Sequence, residues 1–395
     1  MNKPVKQHLI DPEICIRCHS CEAACPIGAI EHDGTNVVVK ADACNSCLNC
    51  IPVCPTGSID NWRVVETPYS LAAQYGWTEL PAQQELAGEA EAPEAFDETV
   101  AALLAQAHSG AGGAAKRPAS ASQPTVNLYP PGRPAEATVQ GNYRLTAEGS
   151  DADVRHIILD FGGLPFPALE GQSLGIIAPG LDAQGRPHSP RLYSISSPRD
   201  GERPNFNNVS LTVKRAPQGL CSNYVCDLKK GDKVKVTGPF GSTFLMPNDP
   251  KARLLMICTG TGAAPFRAFT MRRQRTGVAG AQGDMTLFFG ARSPDSLPYF
   301  GPLNKVPERV LKKRMVFSRI PGAPKEYVQD RLLVESEEIA ELINDPDCHI
   351  YVCGLRGMEQ GVEKAFISIA ESVGLPWTTL RNALREEGRY HVETY

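Results

Sequence analysis

Two cysteine runs of identical spacing, Cys15–Pro26 (CIRCHSCEAACP) and Cys44–Pro55 (CNSCLNCIPVCP), decide how the first part of this chain folds. Each run reads C-x2-C-x2-C-x3-C-P. The short x2 steps bring three thiols to one side of a common centre, and the x3 step carries the fourth thiol away from it. Thiolates spaced in this way are typical ligands of iron–sulfur clusters. The predicted metal ligands are Cys15, Cys18, Cys21, Cys25, Cys44, Cys47, Cys50 and Cys54.

The doubled run resembles that of the bacterial two-cluster ferredoxins, in which the fourth cysteine of each run ligates the other cluster. The resemblance implies two [4Fe–4S] clusters, one held by Cys15, Cys18, Cys21 and Cys54, the other by Cys44, Cys47, Cys50 and Cys25. Structural zinc and disulfides are the alternatives. Zinc needs only four ligands in two pairs. Disulfides are typical of secreted chains, and no apolar leader precedes Cys15.

The composition argues against two classes of partner. The chain carries a net charge of −4 and has no dense tract of lysine and arginine, so we expect no nucleic-acid binding. No stretch approaches the roughly 18 consecutive apolar residues of a membrane span, so we expect no membrane partner. Of the 13 cysteines, those outside the two runs are expected to be free thiols. Free thiols and oxygen-labile clusters together predict a cytoplasmic protein.

Changes in composition and periodicity divide the chain into four segments. Residues 1–70 are predicted to form an α+β ferredoxin-like two-cluster domain, with a hairpin over residues 29–40. Residues 71–134, rich in Ala, Glu, Gln and Pro, are interpreted as a semi-flexible linker with one helix at 93–107. Short strands separated by Gly and Pro predict an antiparallel β-barrel at 135–250. Alternating strands and helices predict a doubly wound α/β domain at 251–395.

Three motifs in the last two segments are suited to binding a flavin or a dinucleotide. Arg191–Ser194 (RLYS) combines a guanidinium for a pyrophosphate, a ring for stacking and a hydroxyl, although alone it is equally typical of an amphipathic strand. At Gly219–Tyr224 (GLCSNY), a helix would begin with its N–H groups directed at a phosphate. Cys258–Pro265 (CTGTGAAP) joins a strand to a helix through glycines that let the backbone approach a pyrophosphate.

These motifs, together with GPFG, FFGARS, FSR, KEYVQ, YVCGLRGMEQG and a terminal HVETY, occur in the order of the plant-type ferredoxin–NADP+ reductases. The stretch from Glu136 to Tyr395 therefore resembles that family. The resemblance implies FAD bound by Arg191, Tyr193, Ser194, Gly219, Cys221 and Ser222, with Lys214 near the bound cofactor. It implies a nicotinamide dinucleotide at Thr261, Gly262 and Pro265.

The same resemblance implies NADPH rather than NADH. The residues that would grip the adenosine 2′-phosphate are Ser318, Arg319, Lys325, Tyr327 and Gln329. Arg and Lys beside a Tyr ring suit a phosphomonoester and a stacked adenine; an ordinary surface charge cluster is the alternative. One departure concerns FAD, because the short loop between Lys214 and Gly219 has no aromatic residue to stack on its adenine.

Four residues complete a hydride-transfer site by the same resemblance: Ser194, Cys353, Glu393 and Tyr395. The Tyr395 ring would cover the flavin until the nicotinamide displaces it. Glu393 and Ser194 would relay a proton to and from the flavin N5, and Cys353 would shape the nicotinamide pocket. The alternatives are that the cysteine only packs in a core and that the terminal tyrosine is frayed.

The order of the domains resembles that of the reductase components of benzoyl-CoA 2,3-epoxidase systems. It implies that electrons pass from NADPH through FAD and the two clusters to a separate diiron oxygenase, in aerobic benzoate degradation. A general NADPH–ferredoxin-type reductase that serves another acceptor is one alternative. A non-catalytic iron–sulfur sensor or electron-storage protein is another, from a different functional class.

Overall fold

The computed structural model describes residues 5–47, 49–51, 53–54, 56–81, 98–108, 115–203, 207–275 and 284–395. None of the helices within these ranges is long and apolar enough to cross a membrane. The first five residues of the helix predicted at 93–107 lie outside the described residues.

The N-terminal domain consists of two antiparallel strand pairs with the cysteine runs between them. Its elements are β1 (Val5–Leu9), α1 (Ser20–Ala23), β2 (Ile30–His32), β3 (Val37–Val39), β4 (Asn61–Val65) and α2 (Leu71–Tyr75). β1 pairs with β4, and β2 pairs with β3 as the predicted hairpin. The Asp33 carboxylate accepts the N–H groups of Thr35 and Asn36 and thereby closes the hairpin turn.

The middle domain is a six-stranded antiparallel sheet in the order β8-β7-β10-β5-β6-β9. A helix, α3 (Glu98–Ala107), precedes this domain. The elements of the domain are β5 (Ala135–Arg144), β6 (Val154–Asp160), β7 (Ser173–Ile177), β8 (Arg191–Ser194), β9 (Asn208–Lys214), α4 (Leu220–Asp227) and β10 (Lys233–Phe240). A bridge between Ile195 and Leu211 joins the two outer strands, so the sheet closes on itself. The predicted β-barrel is confirmed.

The C-terminal domain is a five-stranded parallel sheet in the order β13-β12-β11-β14-β15. Its elements are β11 (Arg253–Thr259), α5 (Ala263–Arg275), β12 (Met285–Ala291), α6 (Phe300–Asn304), β13 (Lys312–Phe317), α7 (Val328–Val334), α8 (Ser336–Asn344), β14 (Cys348–Gly354), α9 (Arg356–Ser372), α10 (Trp377–Glu386) and β15 (Tyr390–Thr394). Short 3₁₀ turns lie at Gly260–Gly262 and Pro294–Ser296.

Alternating residues of β11 enter two separate cores, which shows that this sheet is covered on both faces. Leu255 and Ile257 pack in a core with residues of α7 to α10, whereas Leu254 and Met256 pack with residues of α5. This is the period of two expected for a strand that is buried on both sides. The predicted doubly wound fold is confirmed. The strand order reverses between β11 and β14, and such a switch point is where ligands bind in this fold.

The described parts of the segment interpreted as a linker are packed against the folded domains. The Gln74 side chain of α2 exchanges hydrogen bonds with the backbone of Val39. Further along, α3 packs against β15. The Ser122 hydroxyl accepts a hydrogen bond from Arg199 of the barrel domain, and the Thr125 carbonyl accepts one from Gln172. These contacts were not expected for the semi-flexible linker predicted from composition. Small and polar residues supply the backbone and hydroxyl groups that make them.

Candidate functional site

The cysteine side chains of the two runs interact with one another across the runs. Neighbouring thiols raise one another's pKa when they share a centre. Burial, and then Cys54 and Cys15, raise the pKa of Cys21 to about 11. Burial, Cys47 and Cys25 raise the pKa of Cys44. The fourth cysteine of each run therefore lies near cysteines of the other run.

Several thiolates this close together need a compensating positive charge, and iron supplies one. Cys54 is already prepared for ionisation. Although burial opposes it, hydrogen bonds from the Ser58 hydroxyl and from the N–H groups of Ile59 and Thr56 lower the pKa of Cys54. The Ser58 oxygen lies 3.3 Å from the sulfur. The donor set of this domain therefore fits iron–sulfur clusters.

A buried network of ion pairs joins the cysteine domain to both other domains. Asp60, which follows the second cysteine run, pairs with Arg272 of α5 and lies 3.7 Å from Arg199. Arg199 in turn binds Glu170 at 2.7 Å, and both side chains are almost fully buried. Although burial opposes it, the charges of Arg199 and Arg272 lower the pKa of Glu170. Four matched charges from three domains thus hold the cysteine domain in one docked position.

The candidate flavin site lies on β8 and at the start of α4. Arg191 is exposed, and Tyr193 and Ser194 are partly buried. Burial and the neighbouring Cys221 raise the pKa of the Tyr193 hydroxyl, which places the strand and the loop motif side by side. Lys214 is exposed at the end of β9.

The loop before α4 is shaped for close backbone approach. A Cβ on Gly219 would lie 2.9 Å from the Ala216 side chain, so a glycine is needed there. The Ser222 hydroxyl donates to the Gly219 carbonyl at 3.1 Å and accepts from the Ala216 N–H at 3.1 Å. Ser222 therefore orders the loop, while the first-turn N–H groups of α4 have no partner within the helix.

The candidate dinucleotide site is the turn between β11 and α5. A Cβ on Gly262 would collide with the carbonyl of Cys353, so this turn packs directly on the end of β14. The hydroxyl of Thr259 is buried there without a hydrogen-bond partner among the described residues. Pro265 is buried in the first turn of α5. An unpartnered polar atom beside a close-packed glycine turn at the switch point fits a bound dinucleotide.

The structure brings together four of the residues predicted for the nicotinamide and hydride site. The Thr261 hydroxyl lies 2.8 Å from the Tyr395 hydroxyl. The Tyr395 N–H donates to the Gly354 carbonyl at 3.0 Å, which fixes the terminal residue although its side chain is 53% exposed. Cys353 is the register neighbour of Glu393 across β14 and β15. Ser194 is the last residue of β8 in the barrel. Just after this strand, the Ser196 carbonyl accepts a hydrogen bond from Arg267 of α5.

At this site burial, and not an ion pair with a cation, determines the pKa values of the acidic groups. Burial raises the pKa of Glu393 to about 8. Burial and then the charge of Glu393 raise the pKa of Cys353. Glu393 is therefore mostly protonated at neutral pH, and the thiol is neutral. This pair is suited to holding a proton rather than a charge.

The residues predicted for the 2′-phosphate lie at the end of β13 and the start of α7. Arg319, Lys325 and Tyr327 are exposed. The Arg319 N–H donates to the Arg292 carbonyl at 2.7 Å, so the loops after β12 and β13 run side by side. The Ser318 N–H is bonded to the Ala291 carbonyl, and Gln329 packs closely on Gly361. The exposed Arg292 was not predicted, although it lies within the FFGARS motif.

One residue near the hydride site was missed altogether. His108, directly after α3, has its Nε2 atom 3.8 Å from a carboxylate oxygen of Glu393. Its Nδ1 atom lies 3.1 Å from the Val392 carbonyl. The only signal in the sequence was a histidine at the end of a helix pattern, in a segment interpreted as a linker.

Comparison with known proteins finds two family models that match different parts of the chain. Residues 7–56 match the 4Fe-4S dicluster domain, and residues 256–364 match the oxidoreductase NAD-binding domain.

Among curated proteins, the chain is 39% identical over 289 residues to the ferredoxin–NADP reductase of Thermosynechococcus vestitus, covering 68% of this chain and 75% of that protein. It is 39% identical to the cyanelle ferredoxin–NADP reductase of Cyanophora paradoxa, covering 68% of this chain and 79% of that protein. Among solved structures, ferredoxin–NADP+ reductase from Plasmodium falciparum superposes with a TM-score of 0.55 at 27% identity, covering 68% of this chain and 99% of that one. One of the P. falciparum structures is with 2′P-AMP.

Proposed function

Because the chain belongs to the ferredoxin–NADP reductase family and carries a 4Fe-4S dicluster domain, we propose that it is an NADPH-dependent reductase that passes electrons through FAD and two [4Fe–4S] clusters to a separate acceptor. One observation carries this proposal. Thr261, Cys353, Glu393 and Tyr395 meet at the carboxyl ends of β11, β14 and β15, in a molecule whose cysteine domain is docked on the same reductase.

The roles of NADPH, the flavin and the clusters follow from the number of electrons that each one exchanges at a time. NADPH releases two electrons together as hydride, whereas each cluster accepts one, and a bound flavin supplies the chemistry that converts one mode into the other. Arg191, Tyr193, Ser194, the Gly219–Ser222 loop and Lys214 would hold FAD. Thr261, Gly262 and Pro265 would hold the pyrophosphate side of NADPH.

The chain's own side chains position the dinucleotide and control the proton. Ser318, Arg319, Lys325, Tyr327 and Gln329 would grip the 2′-phosphate and the adenine. The Tyr395 ring would cover the nicotinamide position until the dinucleotide enters, and Cys353 would shape that pocket. Glu393, protonated at neutral pH, and Ser194 would hold and move the proton at the hydride site.

The cluster ligands follow the crossed pattern of the two runs. One cluster would use Cys15, Cys18, Cys21 and Cys54, and the other Cys44, Cys47, Cys50 and Cys25. The couplings of Cys21 with Cys54 and of Cys44 with Cys25 support this assignment. Oxygen-labile clusters and free thiols favour a reducing cytoplasm.

For the acceptor, we propose a separate diiron oxygenase that epoxidises benzoyl-CoA in aerobic benzoate degradation. Support comes from the domain order. The sequence shows no pattern of carboxylates and histidines that would form a diiron centre. We therefore assign oxygen chemistry and CoA-thioester binding to the partner. A general reductase for another acceptor is the second candidate. Stimulation of NADPH oxidation by benzoyl-CoA only in the presence of the oxygenase distinguishes the two.

One experiment tests the reductase itself. The protein is purified anaerobically, its iron, sulfide and flavin are quantified, and it is titrated with NADPH and with NADH. We expect about eight irons and one FAD per chain, as for two [4Fe–4S] clusters, and faster reduction by NADPH. A colourless cysteine domain would indicate zinc, and an absence of NADPH-dependent dye reduction would favour an iron–sulfur sensor.

A further inference from the structure

The segment between the two redox parts of the chain contributes a side chain to the hydride site. His108 follows α3, which packs along β15. The side chains of His108 and Glu393 are only 12% and 11% exposed, and their nearest nitrogen and oxygen atoms lie 3.8 Å apart. A titratable side chain from outside the reductase domains is therefore buried against a carboxyl group that forms no other ion pair among the described residues.

The hydrogen bond on the far side of the ring fixes the tautomer of His108. Its Nδ1 atom lies 3.1 Å from the carbonyl oxygen of Val392. A carbonyl only accepts hydrogen bonds, so Nδ1 carries the hydrogen. Burial lowers the pKa of His108, so the ring is neutral at neutral pH. Its Nε2 atom then has a free lone pair, and this is the atom that faces Glu393.

The two neighbours are complementary as proton donor and proton acceptor. With its pKa raised to about 8 by burial, Glu393 carries a proton at neutral pH, and Nε2 of His108 is a base. A separation of 3.8 Å is closed by a small side-chain rotation, and such contacts commonly tighten when a substrate binds.

The proposed reaction requires a proton exit at this place. A hydride delivers one proton together with two electrons. When the two electrons leave singly to two clusters, one proton per NADPH remains at the hydride site and must reach solvent. Glu393 is the buried acid of that site, and the His108 side chain, which is itself 12% exposed, lies beside it.

We propose that His108 exchanges the proton of Glu393 with solvent, so that the segment joining the cluster domain to the reductase completes the proton path of the hydride site. This inference rests on the proposed function. The proton moves from the Glu393 carboxyl to Nε2 of His108 and then from Nε2 to water, and no electron is transferred in this step. His108 acts through Glu393 and is in this sense a positioning residue.

Other titratable groups are packed around His108 and Glu393. Cys353 faces Glu393 from β14 and is neutral because burial raises its pKa. His391 of β15 is also neutral, because burial lowers its pKa to about 3. Glu359 of α9 accepts a hydrogen bond from the Thr394 hydroxyl. Arg356 donates to the Gln106 carbonyl of α3.

The test compares His108→Ala with a control variant, His188→Ala, which removes a histidine from a barrel loop. NADPH-dependent dye reduction is measured across the pKa of Glu393, with and without imidazole in the buffer. We expect His108→Ala to lower kcat by about tenfold to a hundredfold, to leave KM for NADPH unchanged and to recover activity with added imidazole. His188→Ala should behave as the unmodified protein.

A second readout does not depend on turnover. Infrared spectroscopy of the resting protein follows the protonated carboxyl band that Glu393→Gln removes. A hydrogen bond that His108 accepts stabilises the neutral carboxyl group, so His108→Ala should lower the pKa at which this band disappears.

The outcomes separate two failures. If the unmodified protein does not reduce dye with NADPH, the proposed function is wrong. If the unmodified protein is active while His108→Ala keeps its kcat, is insensitive to imidazole and leaves the carboxyl band unchanged, the proton path through His108 is wrong. Unchanged flavin and cluster absorption in the variant excludes misfolding as the cause.

Discussion

Glu170 and Glu393 are two buried glutamates that the molecule treats in opposite ways. Glu170 lies in the docking network, and Arg199 and Arg272 lower its pKa in spite of its burial. Glu393 lies at the proposed hydride site, and burial raises its pKa to about 8. Both side chains are buried, so burial alone does not decide their protonation. The presence or absence of a matched cation leaves Glu170 ionised and Glu393 protonated at neutral pH.

The largest expected effect comes from removing the cation of the first glutamate. Arg199→Ala leaves Glu170 buried without its main partner, and we expect the free energy of unfolding to fall by about 3–5 kcal/mol. Urea denaturation followed by circular dichroism measures the loss. The control is Arg186→Ala, which removes a mostly exposed ion pair with Asp182 and should change little. Equal losses in the two variants would contradict the assignment of Glu170 as a buried structural anion.

The pKa shifts of Glu170 and Glu393 have opposite signs. The two side chains should therefore make the stability of the protein respond to pH in opposite ways. The pKa of Glu170 is lowered, so its stabilisation is present above the usual value of 4.5 and is lost as the pH falls through the folded value. The pKa of Glu393 is raised, so its contribution is lost as the pH rises from 4.5 to about 8.

Glu393→Gln should therefore remove a decline of up to about 1.4 kcal/mol per pH unit over that interval. Denaturation midpoints measured at several pH values check this prediction. If the stability of Glu393→Gln declines with pH as steeply as that of the unmodified protein, the pKa of Glu393 is not raised in the folded state.

Exposed cations give a third case, in which the charge is available to a ligand. Arg319 is exposed at the end of β13. We expect Arg319→Ala to weaken NADPH by about tenfold, the order of one charged hydrogen bond, and to leave NADH unchanged. Steady-state kinetics with both nucleotides measure this preference. An equal loss for the two nucleotides would argue against contact with the 2′-phosphate.

The smallest effect is expected where a neutral donor, not a cation, faces a buried anion. The Ser58 hydroxyl lies 3.3 Å from the Cys54 sulfur. Ser58→Ala removes one hydrogen bond of about 1 kcal/mol, and we expect the potential of that cluster to fall by roughly 40 mV because 59 mV corresponds to a tenfold change for one electron. A spectroscopic redox titration measures the potential. Ser46→Ala in the other run is the matched control.

The features that the sequence predicted well are those whose causes are local. Cysteine spacing predicts an iron–sulfur domain, and residues 7–56 match the 4Fe-4S dicluster domain. The alternation of strands and helices after Lys251 predicts a parallel sheet, and the structure has one. The docking network was out of reach because Asp60, Glu170, Arg199 and Arg272 come from distant positions and none of them belongs to a motif.

His108 was missed for a related reason. A segment rich in Ala, Glu, Gln and Pro has little apolar surface of its own, and its composition does not reveal that it packs against the edge of a neighbouring sheet. The loop from Lys214 to Gly219 offers no aromatic side chain for the FAD adenine, and its shape depends on Ser222, which lies outside it in sequence.

The buried contact of Asp60 with Arg199 and Arg272 also determines how the rate of cluster reduction should depend on the medium. Partners that meet by diffusion are brought together by surface charges that dissolved salt screens, and their transfer rate rises with concentration. Charges enclosed by protein are screened far less. Internal reduction of the clusters should therefore be first-order, independent of protein concentration and nearly insensitive to ionic strength, and delivery to the external acceptor should be the salt-dependent step.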